Sequence, residues 1–169
     1  MSFLQVASWN IEHLSGASRE DKKQSAFALA DHIEMSGIDL IALQEVYVTD
    51  WDEEVRLMEN QPPIPNRSTG NERRNADLDR VCYLLEEHLE VEWNYLVLPN
   101  RQAGDKSQLC AIMWNTGRMS LREVHKLSVD HDIDGYTLWD RAPHAVTFTS
   151  PLSVWRKDDA SNWIEVAEN

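Results

Sequence analysis

Near the amino end two short apolar runs flank a single helical stripe, and this pattern constrains the fold more than anything else in the chain. Leu4 to Trp9, with Val6 inside it, reads as a strand. Ser18-Arg19-Glu20-Asp21 reads as a helix start with Ser18 as its cap. Phe27, Ala30 and Ile33 then recur at helical spacing, and Gly37 is a good stop. Asp39 to Leu43 (DLIAL) is a second strand, apolar enough to be buried on both faces. Consecutive strands joined through a helix are almost always parallel, with a right-handed crossover. Their carboxyl ends therefore share one sheet edge, where open α/β sheets take their ligands.

The residues due at that edge are Asn10 and Glu12 after the first strand, and Gln44 and Glu45 after the second. Taken singly, each reads as a turn residue or a solvated strand end. Together, an amide and two carboxylates with no lysine beside them in sequence make a hard-oxygen site. Such a site suits magnesium or manganese, since magnesium keeps several waters and needs only one or two protein carboxylates.

The remaining sequence fits one domain spanning 1–169, since 169 residues give a real core but not two comfortable ones. Asn60 to Asn75 is rich in Pro, Asn, Arg and Gly and reads as a loop. Its Arg67, Arg73 and Arg74 are expected to be solvated rather than to touch a substrate. A second helix carries Leu78, Val81, Cys82, Leu85 and Leu89 as one stripe. WNYLVLP, QLCAIMWN, SLREVHKLS and HAVTFTS read as strands, and the tail from Val154 to Val166 as one more strand or hairpin. Cys82 and Cys110 sit in apolar stretches and read as buried small side chains, rather than a disulfide or a metal pair. The net charge of -13 excludes a broad basic footprint for nucleic acid or anionic membrane. No signal peptide or membrane-spanning run is visible, so the cytoplasm is the default compartment.

At SWNIEHL and DLIALQEV the chain resembles the endonuclease/exonuclease/phosphatase superfamily, the deoxyribonuclease-I-like fold. In that family a W-N element ends the first strand and a Q-E element the second. The resemblance continues through QLCAIMWN and through TLWDRAPHAVTF, which is similar to the family's R-x-P element before an apolar strand. It implies that Asn10 and Glu45 belong to a metal site for Mg2+ or Mn2+, with Glu45 the direct ligand and Glu12 an orienting group. Arg141 would contact the scissile phosphate of a phosphoester substrate, possible nucleic acid included, because its fork matches phosphate oxygens.

The resemblance also implies a mixed α/β (α+β) sandwich of two sheets with helices outside, of which this chain covers about the first half. The family's later G-D-x-N and S-D-H elements have no match. Gly104-Asp105 is followed by Lys106-Ser107, and Ser128-Val129-Asp130-His131 carries an extra valine and precedes Arg141. Half a sandwich is expected to leave the inner face of a sheet open, so that either a partner chain covers it or the gene product is truncated. Two functional readings follow: a metal-dependent phosphoester hydrolase, nuclease or phosphodiesterase, and an inactive remnant serving as a binding or assembly module.

Overall fold

The computed structural model describes residues 3–14, 25–49, 64–69, 73–99, 108–127, 132–134, 136–137, 143–150, 154–157 and 163–166. β1 (Val6–Leu14) runs parallel to β2 (Leu40–Val46), with Val6 opposite Leu40 and Asn10 opposite Gln44. Between them lies α1 (Ala26–Ser36). The Ser25 hydroxyl accepts from the Ala28 N–H at 3.3 Å and caps its start. Ser18, the expected cap, lies outside the described residues. Gly37 ends the helix in the left-handed region at φ 60°, which needs no Cβ-bearing side chain.

Two antiparallel strands complete the sheet. β4 (Leu109–Asn115) pairs with β2, and β3 (Trp93–Leu98) pairs with β4, giving the order β1-β2-β4-β3. α2 (Ala76–Leu89) precedes β3 and packs beside α1. The helices close one face of the sheet. There Leu78, Val81, Cys82 and Leu85 of α2 meet Ile41 and Leu43 of β2, with Tyr95 and Met113 in the same core. Cys82 and Cys110 are both free thiols.

The opposite face answers the expectation of an open sheet. Leu40, Leu96, Ile112 and Trp114 on that face are all buried. β5 (Ser120–Lys126) and β8 (His144–Thr149) form an antiparallel pair whose Leu121, Val146 and Phe148 pack there. Phe148 meets Trp114 edge-on with ring centroids 5.2 Å apart. The chain's own strands thus pack on part of the face that was expected to stand open. Exposure persists along β1, where Val6 is 66% exposed and Ser8 and Asn10 are also open. The tail forms the expected hairpin, β9 (Val154–Lys157) with β10 (Trp163–Val166). A two-residue pair, β6 (Asp132–Ile133) with β7 (Tyr136–Thr137), was not anticipated. Among the described residues the protein is therefore mixed α and β, with two helices on one face of a four-stranded sheet and paired strands on the other. No helix among the described residues is long and apolar enough to cross a membrane.

A buried polar cluster interrupts the apolar core at the start of α2. Asp79 is only 1% exposed, yet it accepts from the Arg67 N–H at 2.8 Å, from the Tyr95 hydroxyl at 3.1 Å and from the Arg74 guanidinium. Arg67 and Arg74, expected to be solvated, are instead mostly buried. The Arg74 guanidinium meets the buried Asp79 carboxylate, which must find charged or N–H partners. The Arg67 guanidinium pairs with Glu86 and Glu92.

Burial outweighs the Arg67 N–H and the Arg74 guanidinium, so the Asp79 carboxyl is pushed above its ordinary value. The folded chain then keeps this proton at a pH where the unfolded chain has already released it. This residue's contribution to stability is full below the ordinary value and is lost as pH rises through the folded one. Carbon-13 NMR of the Asp79 carboxyl is expected to give a midpoint above that of an aspartate in a short peptide. A midpoint below it would show that Arg74 dominates.

Candidate metal centre

Glu45 stands at the centre of two strand irregularities. Between Gln44 and Val46 it has no partner in β4, where Cys110 and Leu109 are consecutive. On the other side, the three residues between Asn10 and Leu14 face this single residue of β2. Both Glu12 and Glu45 adopt positive φ, 47° and 63° respectively. A bulge with one residue in the left-handed region is normally built on glycine, because a Cβ there is strained by about 1–2 kcal/mol.

The bulges change which side each glutamate takes. Leu43 and Val46 both enter the helix-side core, as do Ile11 and Leu14, so the inward apolar spacing is three instead of two. An unbroken β2 would aim Glu45 into that core beside Ile41 and Leu43. The extra residue turns it instead toward Asn10. The Asn10 Nδ2–H donates to Glu45 Oε1 at 3.0 Å, and the Asn10 Oδ1 accepts from the Glu12 N–H at 3.0 Å. The second bond fixes which end of the amide is oxygen, so the first must be a donation to the carboxylate.

Gln108, immediately before β4, donates from Nε2 to Glu45 Oε2 at 3.3 Å. Each oxygen of Glu45 is thus held by a neutral amide. Sequence reasoning missed Gln108, because only the β2–β4 pairing brings it to this edge. It also missed Asn75, which donates from its side chain to the Leu14 carbonyl at 3.2 Å and the Tyr47 carbonyl at 2.7 Å. Its signal was present in the sequence, an asparagine directly before an apolar-periodic helix with Asp77 and Asp79 in the first turn.

Asn10, Glu12 and Glu45 therefore meet at the carboxyl edge of the parallel pair. Arg141 lies outside the described residues. Pro143, two residues on, accepts from the Leu127 N–H at 3.0 Å, and the strand due after R-A-P begins at His144. Elsewhere, Asp31, Glu34 and His88 form a group whose possible ligand atoms lie within 4.8 Å of one another. It sits exposed on the outer side of α1 and α2, and His88 Nδ1 is 3.0 Å from Glu34 Oε2. This group is separate from the Glu45 site. In comparisons with known proteins, the chain matches no family model and no curated protein.

Strain at Glu12 gives a direct check on this local geometry. Glu12→Gly is expected to raise stability by about 1 kcal/mol in denaturant melts, because glycine occupies positive φ without the Cβ clash. A loss of that size would show that the side chain contributes more than the strain costs.

Proposed function

We propose that this chain carries the cation-binding part of a phosphoester hydrolase of the endonuclease/exonuclease/phosphatase kind, with Glu45 as the residue that holds the ion. One observation carries the reading: a glutamate placed in a glycine-type bulge, with its carboxylate aimed at the ligand-binding edge and fixed by Asn10 and Gln108. Strained backbone of this sort clusters at functional sites, where the surrounding structure over-determines it.

The donor set fits magnesium or manganese. It is oxygen-based and partly exposed, and each Glu45 oxygen can accept an amide hydrogen while keeping a lone pair for a cation. When bound, the cation would polarise the phosphoryl oxygens and offset charge on the leaving oxygen. The chain's own contribution is orientation. Asn10 and Gln108 fix the carboxylate in place, so no rotamer search accompanies binding. Asn10 orients Glu45 through its Nδ2–H, and its Oδ1, which accepts one hydrogen from the Glu12 N–H, has a second lone pair with which to join the proposed metal site. Arg141, from the R-x-P resemblance, is the proposed phosphate contact. The substrate class goes no further than a phosphoester, because one fold of this kind serves many substrates.

Calorimetry with manganese is expected to show weak binding by the native chain and none by Glu45→Gln. Equal binding by both would place any cation site elsewhere, with Asp31, Glu34 and His88 the next group to vary. Turnover of plasmid DNA, RNA or a generic phosphodiester is expected to be poor, since no G-D-x-N or S-D-H element supplies acid–base groups worth ~100- to 10,000-fold each. Robust metal-dependent turnover that vanishes in Glu45→Gln would show that the chain completes its own site. Binding without turnover is the outcome that a binding module sharing this cation site would also give.

A further inference from the structure

The polar cluster at the start of α2 is joined to the Glu45 site through one side chain. Asn75 is completely buried. Its Oδ1 accepts from the Leu78 N–H at 2.9 Å and caps α2. Its Nδ2 donates to the carbonyls of Leu14 and Tyr47, each two residues beyond a bulged glutamate, Glu12 in β1 and Glu45 in β2. The Leu14 carbonyl also accepts from the Tyr47 N–H at 3.0 Å, so Asn75 closes a bond already linking the two strands.

Asn75 is itself fixed from behind. Its N–H donates to the Tyr95 hydroxyl at 2.9 Å, and that hydroxyl lies 3.1 Å from both the Asn75 carbonyl and Asp79 Oδ1. Thr49 extends the same seam, since its hydroxyl accepts from the Ala76 N–H at 2.9 Å and its own N–H donates to the Arg74 carbonyl at 2.9 Å. A helix cap alone requires one acceptor, which a serine supplies. The two donors of Asn75 go beyond capping, and both are spent where the strands leave their bulges.

We propose that Asn75 is a positioning residue for the Glu45 site, acting through the Leu14 and Tyr47 carbonyls to hold both bulged glutamates in register. The functional part of this inference rests on the cation reading above. The structural part, that Asn75 sets the Asn10–Glu45 geometry, does not. Bulged strand ends held only by their own pairing can slip, and a site whose support moves by about 1 Å loses its pre-organisation.

The test uses the full chain as native protein, Asn75→Ser and Leu85→Ala. Serine keeps the acceptor for the Leu78 N–H and removes both side-chain donations. Leu85→Ala weakens the same helix in its core stripe, away from the strand ends. Two readouts are taken. The first, without metal, is the NMR shift of the Asn10 side-chain amide and of the Glu12 and Glu45 N–H groups. The second is broadening of those signals during a manganese titration.

Asn75→Ser is expected to move the metal-free signals and to weaken manganese binding about tenfold, as loss of an orienting partner typically does. Leu85→Ala is expected to do neither. Metal-free signals unchanged in Asn75→Ser, or displaced as far by Leu85→Ala, would overturn the proposal. Should native protein show no Glu45-dependent broadening, the cation reading falls while the metal-free shifts still decide the role of Asn75. If Asn75→Ser does not fold, Tyr95→Phe replaces it. That variant takes the hydroxyl from behind Asn75 and is judged by the same readouts and the same criteria.

Discussion

Strand irregularities at Glu12 and Glu45 determine which residues this fold presents at the carboxyl edge of its parallel pair. Strand geometry alternates sides strictly, so an unbroken β2 would bury Glu45 beside Ile41 and Leu43. Burying a carboxylate there without partners would cost several kcal/mol. The bulges at Glu12 and Glu45 let the apolar residues on either side stay inward while each glutamate leaves the core. The sheet keeps its hydrophobic face and still presents acidic groups at one rim. The hydrogen bonds from Asn10 and Gln108 depend on that displacement, because they meet Glu45 only where the bulge has put it.

The same constraint accounts for the polar cluster beneath α2. A regular sheet edge satisfies its own backbone groups, but bulged strand ends leave carbonyls that the ladder does not use. Asn75 meets the Tyr47 carbonyl from the helix side and adds a second donor to the Leu14 carbonyl, which already accepts from the Tyr47 N–H. To do so it must sit in the core, and a buried amide needs all its groups satisfied. Tyr95 and Asp79 supply the rest, and Arg74 with the Arg67 N–H offsets the buried charge. A chain of polar contacts from Arg74 to the Leu14 and Tyr47 carbonyls thus follows from strand irregularity, ending two residues beyond each bulged glutamate.

Much of the architecture was legible in the sequence because apolar period and turn chemistry are local signals. The parallel β1–β2 pair, the α2 stripe from Leu78 to Leu89 and the strands from Trp93 to Asn115 needed nothing else. By residue type Ser18 and Ser25 are equally good caps; Ser25 caps α1, and the start read at Ser18 lies outside the described residues. The bulges were also written in the chain, in I-E-H-L and L-Q-E-V, where inward residues stand three apart instead of two. A reading that looks for period two passes over them. Gln108 and the burial of Arg67 and Arg74 were not legible, because they depend on which strand neighbours β2 and on carboxylates that the fold brings near, Asp79 to Arg74 and Glu86 with Glu92 to Arg67. That the chain's own strands fill part of the expected open face was not legible for a similar reason. Which apolar residues of β5 and β8 meet Trp114 is set by the pairing of strands distant in sequence.

Positive φ alone does not single out a site, and the four non-glycine cases among the described residues show why. Glu90 ends α2, and Asp134 turns the short β6–β7 pair, both ordinary places for a left-handed residue. Glu12 and Glu45 differ in lying within paired strands, beside each other and beside Asn10. If a bulge were all that was needed, glycine would build it without strain, and asparagine at lower cost than glutamate. A glutamate in that backbone makes sense when its carboxylate is wanted at that point. At Glu45, Oε1 accepts from the Asn10 amide and Oε2 from the Gln108 amide, and these two bonds fix the carboxylate's direction. A glutamate in a glycine-type backbone with its carboxylate oriented in this way is, more than any single residue, what supports the proposed cation site.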